Sequence, residues 1–305
     1  MLNMKQFKGK NPDVIKYVFT DTGTVYEAVL YKYGDYMTRT VICCSVMSGC
    51  PVGCTFCGTG KNFIRSLEAH EIVFQIERIL IENGLYLSIQ NTKRFQIMFM
   101  SMGEPMLNWD NVQKAIEELH EKFPKAELLL STIAPKTVYW SHLLLLSKKI
   151  DKIGLQFSIH QSTDERRNKL IPFQNKESLQ RIASIGKVWN AHTGRPVFLN
   201  YCIDGTNNTY EDVRNLRDLF DPNIFRFTIS VICDSEEGSQ KNAFNDMAVI
   251  NDFAVMLLAE GYDVRTFNPA GQDDIGGGCG QLWYTQAFMK KLKEQLKCQS
   301  ATPSE

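Results

Sequence analysis

Residues 39 to 61 read RTVICCSVMSGCPVGCTFCGTGK. The run begins with β-branched residues of the kind that form a buried strand, and it then enters a loop rich in cysteine and glycine. In that loop Cys50, Cys54 and Cys57 stand at C-x3-C-x2-C spacing, so three thiolates within eight residues can converge on one metal centre. The intervening glycines let the backbone turn tightly around such a centre. We therefore expect metal chemistry where this strand ends.

The ligand set favours an iron-sulfur cluster over zinc. A structural zinc site needs four ligands, and no further Cys or His completes an obvious zinc spacing around the loop. Three thiolates on a 4Fe-4S cluster leave one iron able to bind another molecule, which is a catalytic feature. Phe56, inside the motif, is expected to pack beside the cluster or its ligand. Zinc, with His70 or Cys44 recruited as a fourth ligand, is the alternative interpretation.

Around this loop, strand-like runs alternate with segments whose apolar residues recur at helical spacing. The strand-like runs are 39–44, 95–101, 127–132, 155–159, 197–203 and 224–232, and the helical segments are 68–83, 109–122, 179–189, 211–220 and 246–260. Ser66 and Asn108 are candidate helix caps, and Gly84 is a candidate helix stop. Six βα units of this kind predict a parallel sheet, either doubly wound or curled toward a barrel. Upstream, strands at 14–20 and 25–33 around a turn at 21–23 predict a hairpin.

Composition excludes several protein classes. The chain has 305 residues with 44% hydrophobic content, enough for a sizeable core. Lys plus Arg and Asp plus Glu are both 34, so no bulk charge attracts nucleic acid, and an RNA would have to be held by a local patch. No apolar run is long enough for a membrane span, and the first ten residues lack a secretory h-region. We expect a cytoplasmic enzyme, whose nine cysteines indicate metal or redox chemistry.

Polar residues follow several of the predicted strands. The strand ends read Gly103 and Glu104 after the second, Ser131 at the end of the third, Ser158, Ile159 and His160 at the end of the fourth, and Asp234 after the sixth. The carboxyl ends of parallel strands meet at one edge of a sheet, which is where ligands bind in such folds. These residues are therefore expected to lie beside the cysteine loop.

An aromatic residue before the last cysteine of C-x3-C-x2-C is typical of radical S-adenosylmethionine enzymes, and the chain resembles their RlmN/Cfr family of RNA methyltransferases. The resemblance covers about residues 24–285 and includes 43–67, MSMGEPMLN at 100–108, LLLST at 128–132, FSIH at 157–160 and DDIGGGCGQL at 273–282, in family order. It implies an α/β fold, a partial (β/α)6 barrel with an N-terminal β-hairpin extension. The implied division is 1–36 for the extension and hairpin, 37–285 for the catalytic domain, and 286–305 for a C-terminal helix and tail.

The resemblance also implies cofactors and the residues that bind them. A 4Fe-4S cluster would be held by Cys50, Cys54 and Cys57, and two molecules of S-adenosylmethionine would be used per turnover. The implied cofactor contacts are Gly103, Glu104, Ser131, Ser158, Ile159, His160 and Asp234. Asp234 stands where the family usually has Asn, and the sequence around it lacks the family's P-W-N-P.

Three further residues match catalytic positions of the family. Cys279, within a glycine-rich stretch, matches the cysteine that carries the methyl group. Cys43 matches the resolving cysteine, which forms a disulfide with the methyl carrier as product leaves. Since successive strand residues face opposite ways, only one of Cys43 and Cys44 can point into the site. Glu27, on the second hairpin strand, matches the carboxylate that accepts a proton.

The implied activity is methylation of a ring carbon of an adenine in ribosomal or transfer RNA, with carbon 2 preferred and carbon 8 possible. A cellular electron donor such as flavodoxin or ferredoxin would reduce the cluster, and no membrane would take part. Family members usually carry an accessory domain before the hairpin, where this sequence has about a dozen residues, so RNA docking is expected to differ. Two alternatives are the same radical chemistry on a small molecule or peptide, and a non-catalytic iron-sulfur or zinc module that senses redox state.

Overall fold

The computed structural model describes residues 3–60, 62–234, 243–278, 280–282, 284–288, 290–291 and 294. The strands in this part of the chain are β1 (Asn3–Lys8), β2 (Val14–Asp21), β3 (Thr24–Tyr33), β4 (Asp35–Cys44), β5 (Met47–Gly49), β6 (Phe63–Ser66), β7 (Arg94–Phe99), β8 (Glu127–Thr132), β9 (Ile153–Ser158), β10 (Val197–Cys202), β11 (Phe225–Ser230) and β12 (Val264–Phe267). The helices are α1 (Ala69–Glu82), α2 (Trp109–Lys122), α3 (Trp140–Lys149), α4 (Asp164–Leu170), α5 (Leu179–Thr193), α6 (Tyr210–Leu219) and α7 (Met247–Ala259). None of the described helices is long and apolar enough to cross a membrane.

Ten of the strands form one sheet in the order β1-β2-β3-β4-β7-β8-β9-β10-β11-β12. The strands β1 to β4 pair antiparallel, and β4, β7 and the strands that follow pair parallel. A separate antiparallel pair, β5 and β6, encloses the cysteine loop. The sheet is therefore a parallel α/β unit extended at one edge by an antiparallel meander.

The two faces of the parallel strands have different surroundings. Ile42, Ile97 and Leu128 point to one face and pack in the hydrophobic core with residues of α1 and α2. Their neighbours along the strands, such as Val41, Met98 and Leu129, border a single interior cavity that is also lined from β3, β9, β10, β11 and β12. Since strands from both ends of the parallel region line one cavity, the sheet is curled. The expected partial barrel, rather than a flat doubly wound sheet, is confirmed.

All six predicted parallel strands and both hairpin strands are present, but the sheet contains two strands that the sequence analysis missed. The first is β1, which makes the N-terminal extension a three-stranded meander rather than a hairpin alone. The second is β12, a seventh parallel strand at the far edge. Both are edge strands in which no residue is fully buried, so their sequences lack the apolar run that marks a buried strand. The predicted hairpin turn is present, with Gly23 at φ +74°.

The five predicted helices are present, while α3 and α4 were missed. The α4 helix has seven residues, six of them charged or polar, so it shows little apolar periodicity. Ser66 was wrong as a helix cap, because it ends β6, and α1 begins after Glu68. Asn108 does precede α2, but its amide donates to the carbonyls of Val46 and Leu67, each at 2.8 Å. Asn108 therefore ties α2 to the chain on either side of the cysteine loop.

Candidate active site

The cysteine loop is closed at its base by a hydrogen bond from the Cys50 amide to the Asn62 carbonyl, 2.8 Å long. At Gly49 the backbone has φ +79°, and a Cβ there would overlap the same carbonyl. On its other side the loop is held by the Gly58 amide, which donates to the Gly280 carbonyl at 2.7 Å. The loop therefore needs glycine at residue 49, and it directly contacts the C-terminal glycine-rich segment.

We expect Gly49→Ala to destabilise the protein more than Gly23→Ala does. Both glycines have positive φ, which costs another residue roughly 1–3 kcal/mol. Around a Cβ at Gly23 nothing lies within 4 Å, so only the backbone term applies there, whereas at Gly49 the clash with Asn62 is added. Urea denaturation of the two variants measures the difference. Equal losses of unfolding free energy would show that the loop relaxes around the added carbon.

An open cleft brings this loop together with the ends of β8 and β9. Of the residues predicted from the sequence, it is lined by Cys50, Cys54, Cys57, Gly103, Glu104, Ser131, Ser158 and His160. Asn200 and Cys202 also line it and were missed. Both lie at the carboxyl end of β10. The rule that ligands bind at the carboxyl ends of parallel strands, which identified the other residues, could therefore have identified these two as well. The expected convergence on the cysteine loop is confirmed for the ends of the second, third and fourth predicted strands, whereas Ile159 and Asp234 do not line the cleft.

The three thiols of the cleft suit a cationic metal cluster. Burial raises the pKa of Cys50 to about 12 and raises that of Cys54 well above its usual value, so the protein alone disfavours the thiolates. Both side chains pack beside apolar neighbours such as Ile133. Binding to iron offsets this cost, because a coordinating thiol is deprotonated by the metal. Phe56 also lines the cleft, with its ring 5.2 Å from that of His160 and perpendicular to it.

Neither candidate for a fourth zinc ligand faces this cleft. His70 is largely exposed on α1, where its Nδ1 lies 3.4 Å from a Glu68 carboxylate oxygen. Cys44 lies in the hydrophobic core. Within the described ranges, no three Cys, His, Asp or Glu side chains are arranged around a single ion. Neither His70 nor Cys44 is therefore placed to complete a zinc site with the three cysteines.

Glu104 is a buried carboxylate with one binding position left open. Its Oε1 accepts hydrogen bonds from the Met106 amide (3.0 Å) and the Thr132 hydroxyl (2.5 Å), and its Oε2 accepts one from the Ile133 amide (2.8 Å). A carboxylate can accept about four hydrogen bonds, so Oε2 can take one more from a ligand. Burial raises the pKa of Glu104 to about 7, although these hydrogen bonds oppose the rise. The group is thus oriented for a cationic donor.

The ends of β8 and β9 add neutral polar groups to the cleft. The hydroxyls of Ser131 and Ser158 are 3.3 Å apart. His160 has φ +58°, which is uncommon for a residue other than glycine and typical of functional sites. Burial lowers the pKa of His160 to about 3, and its Nδ1 accepts a hydrogen bond from the Cys202 amide. The ring is therefore neutral with its proton on Nε2.

Arg167, on α4, places a buried positive charge behind the cleft. Its guanidinium donates to the carbonyls of Ile133 (2.6 Å), Glu177 (2.9 Å) and Ser158 (3.5 Å). Burial lowers its pKa to about 10, which still leaves it charged at neutral pH. Its charge lowers the pKa of Glu104 and thus favours the ionised carboxylate. The sequence analysis missed Arg167, which lies mid-helix and is recognisable only by its complete burial.

The interior cavity of the barrel meets the cleft, since Met100, Ser101, Asn200 and Gly280 line both. Lining residues of the interior cavity also include Cys43, Gly277 and Gly278. The cysteine loop and Cys43 thus face one connected space, which the described residues around position 279 also border.

Cys43 and Cys44 point in opposite directions, as expected for neighbours on a strand. Cys43 faces the interior cavity. Cys44 is fully buried in the core on the other face, and its thiol contacts the Met98 carbonyl at 3.6 Å. Burial also raises the pKa of the Cys44 thiol well above its usual value. Of the two, only Cys43 is accessible from the cavity.

Glu27 lines neither the cleft nor the interior cavity, according to the residues described. It is fully buried on β3, where Oε2 pairs with the Lys16 ammonium at 2.8 Å. Its Oε1 accepts hydrogen bonds from the Thr285 amide (2.8 Å) and hydroxyl (2.7 Å). Both carboxylate oxygens are therefore engaged by other parts of the protein.

Three predicted residues remain. Ile159 is fully buried in the core, and its amide donates to the Asn200 carbonyl at 3.1 Å, so its side chain does not face the cleft. Asp234 is buried and is not among the residues that line the cleft. Cys279 lies outside the described residues. The cofactor contacts of Ile159 and Asp234 and the role of Cys279 stay predictions.

Comparison with known proteins matches residues 44–220 to the radical SAM superfamily. The chain is 33% identical over 287 residues to a probable dual-specificity RNA methyltransferase RlmN from Pseudothermotoga lettingae, covering 91% of this chain and 78% of the relative. It is 34% identical over 277 residues to the protein of the same name from Thermus thermophilus, covering 88% of this chain and 74% of that relative. A solved structure of a radical SAM methyltransferase from Sphaerobacter thermophilus is 25% identical in sequence. Its match covers 92% of this chain and 80% of that protein's chain, with a TM-score of 0.78.

Proposed function

Because the chain belongs to the RlmN family of radical S-adenosylmethionine RNA methyltransferases, we propose that it methylates a ring carbon of an adenine in ribosomal or transfer RNA. The observation that carries this proposal is the junction of two spaces. The cleft with Cys50, Cys54, Cys57 and Glu104 opens into the cavity that Cys43 faces, and Gly280 borders both. A cofactor in the cleft would thus react next to both the resolving thiol and the segment that contains Cys279.

Different residues of the cleft would bind the cluster and S-adenosylmethionine. Cys50, Cys54 and Cys57 would hold the 4Fe-4S cluster, which supplies the electron that cleaves S-adenosylmethionine to a 5′-deoxyadenosyl radical. Glu104 would accept a hydrogen bond from the methionine ammonium at its open Oε2 position. Ser131, Ser158 and the neutral His160 would contact the rest of the molecule.

The cysteines outside the cluster would carry the methyl group and release the product. The methyl group on Cys279 would give a hydrogen atom to the 5′-deoxyadenosyl radical, and its carbon would bond to the adenine ring carbon. One electron would return to the cluster, and the ring carbon would lose its hydrogen as a proton. Cys43 would then attack the Cys279 sulfur, so that the carbon-sulfur bond breaks, the released methylene carbon takes up a proton to become the product methyl group, and a Cys43–Cys279 disulfide remains. The exposure of Cys43 to the interior cavity, with Cys44 excluded, supports the assignment of Cys43.

The electron donor and cellular location complete the proposal. The cluster needs one electron at a time, which a small electron-transfer protein such as flavodoxin or ferredoxin supplies. Ribosomal and transfer RNA place the reaction in the cytoplasm. Carbon 2 of the adenine is the preferred position and carbon 8 the other.

The proposal is tested with anaerobically reconstituted protein, reductant, S-adenosylmethionine and total RNA that lacks the modification. Digestion to nucleosides and mass spectrometry should show 2-methyladenosine, or 8-methyladenosine if carbon 8 is the target. Release of 5′-deoxyadenosine without either product would contradict the RNA assignment and favour a small-molecule or peptide substrate. A protein that binds the cluster but forms no 5′-deoxyadenosine would fit a redox sensor instead.

We expect Glu104→Gln to weaken S-adenosylmethionine binding about tenfold to a hundredfold, because a hydrogen bond to a charged group contributes roughly 1.5–3 kcal/mol. With the pKa of Glu104 raised to about 7, wild-type affinity should fall as the pH drops below that value and the carboxylate is protonated. The variant should lack this dependence. Calorimetric titration of the reconstituted protein measures both effects, with the exposed α2 residue Glu121→Gln as control. Unchanged affinity in Glu104→Gln would remove Glu104 from the binding site.

A further inference from the structure

Three side chains of the N-terminal strands hold the segment on both sides of residue 279. Lys16 on β2 donates from its ammonium to the Gly276 carbonyl (3.4 Å). Tyr31 on β3 donates from its hydroxyl to the Gly277 carbonyl (2.6 Å). Glu27, also on β3, accepts from the amide and hydroxyl of Thr285. The described residues before and after position 279 are thus fastened to the same pair of strands.

Lys16 and Glu27 also pair with each other inside the protein. Val18 lies opposite Glu27 and Lys16 opposite Val29, so the two charged residues are diagonal neighbours on one face of the β2–β3 pair. Their ammonium and carboxylate are 2.8 Å apart, with 2% and 0% of the side chains exposed. A fully buried ion pair is weak evidence for stability, because apolar residues of similar volume serve as well or better. This pair therefore calls for an explanation other than stability.

The second contact of each partner supplies that explanation. Besides the ion pair, each charged group makes a hydrogen bond to the 276–285 segment, Lys16 on one side of residue 279 and Glu27 on the other. Glycines before and after residue 279 leave the backbone there with few steric restrictions. A freely moving segment would present a reactive thiol in many positions, of which few are productive. Fixing the described residues on either side reduces that range.

We propose that Lys16, Glu27 and Tyr31 form a clamp that positions the Cys279 segment against the interior cavity, and that Glu27 is a positioning residue. The significance of the clamp for methyl transfer rests on the proposed function. The clamp itself does not. Glu27 has both carboxylate oxygens engaged and borders neither the cleft nor the cavity among the residues described, which is poor placement for accepting a proton from a bound substrate.

Two double variants that differ in one group separate positioning from proton transfer. Lys16→Met with Glu27→Leu removes two of the three side chains of the clamp, keeps the Tyr31 hydrogen bond to Gly277, and leaves no buried unpaired charge. Lys16→Met with Glu27→Gln also removes both charges, but the Gln carbonyl can still accept from Thr285. The matched control is Asp13→Asn with Lys32→Met. It removes a partly exposed ion pair, joined at 2.9 Å, between the residue that precedes β2 and a residue of β3, and neither side chain makes a hydrogen bond or ion pair with the described residues of 276–285.

The first measurement is hydrogen-deuterium exchange of the reconstituted proteins. Exchange at 276–288 should be at least tenfold faster in the Met/Leu variant and close to wild type in the control. In the Met/Gln variant exchange should rise only at 276–278, which lose the Lys16 contact, and should stay close to wild type at 284–288, where the side-chain carbonyl at position 27 still accepts from Thr285. Strands β8 and β9 should be protected equally in all four proteins, which shows that each is folded. Unchanged exchange at 276–288 in the Met/Leu variant would overturn the clamp, whether or not the protein methylates RNA.

The second measurement follows the reaction. With the Met/Leu variant, release of 5′-deoxyadenosine should continue while RNA methylation falls at least tenfold, because the cofactor cleft is intact and the thiol is poorly placed. With the Met/Gln variant, no protein-RNA adduct should accumulate. An adduct through Cys279 in that variant would make Glu27 the proton acceptor and overturn its positioning role. Absence of RNA methylation in the wild type would contradict the proposed function, while the exchange data would still decide the clamp.

Discussion

Protein with Cys50, Cys54 and Cys57 all replaced by alanine is expected to be colourless and to methylate no RNA. The three thiols line one cleft, and their burial raises the pKa of Cys50 and Cys54, so each is a poor thiolate unless a metal binds it. Without them the described cleft offers one thiol, Cys202, beside the neutral imidazole of His160 and the carboxylate of Glu104, and this set does not replace three thiolates around a cluster.

The measurements are iron and sulfide content after anaerobic reconstitution, visible absorbance, and release of 5′-deoxyadenosine. The control is Cys44→Ala, which removes a thiol from the core without touching the cleft. It should retain a full complement of iron and sulfide. Equal iron and sulfide in the triple variant and the wild type would refute the ligand assignment, and circular dichroism of both shows that the fold is retained.

Cys43→Ala is expected to trap the enzyme on its substrate. If Cys43 is the resolving thiol, the bond between the Cys279 methylene and the adenine cannot be broken without it, so a covalent protein-RNA complex should accumulate and turnover should stop. Cys44→Ala should turn over, since Cys44 faces the core and is inaccessible from the cavity.

Denaturing gel electrophoresis with labelled RNA detects the complex, and peptide mass spectrometry locates the attachment. Cys44→Ala is a closely matched control, because it removes the same thiol group from the neighbouring residue of the same strand. An adduct in Cys44→Ala and none in Cys43→Ala would reverse the assignment. No adduct in either variant, with methylation intact, would mean that neither cysteine resolves the intermediate.

Much of the site could be predicted because its signals are local. The spacing of Cys50, Cys54 and Cys57 limits how far the thiols can separate, and the alternation along β4 separates Cys43 from Cys44 in any extended strand. The strand-end residues Glu104 and His160 were found because parallel strands align their carboxyl ends. Edge strands β1 and β12 were missed. Backbone hydrogen bonds to one neighbouring strand hold each of them in place, and because neither has a fully buried residue, their sequences show no apolar pattern.

The residues that the sequence did not reveal act through partners far away in the chain. In the sequence, Arg167 is one of several charged residues close together in the chain. Only the packed structure shows that it is buried against the carbonyls of Ile133 and Ser158. Glu27 was assigned a proton-accepting role by resemblance, but its contacts to Lys16 and Thr285 depend on how the C-terminal segment returns to the N-terminal strands.

By itself, then, the sequence determined the cysteine motif that we propose binds the cluster, the alternating βα order and the family, because ligand spacing and hydrophobic periodicity are properties of short stretches of chain. Tertiary structure decided that the sheet curls around one cavity, that this cavity joins the cofactor cleft beside Gly280, and that Glu27 is engaged by Lys16 and Thr285. These features arise from contacts between residues up to 258 positions apart. Such contacts form only when packing and hydrogen bonding of the whole sheet bring distant segments together, and no local pattern encodes them.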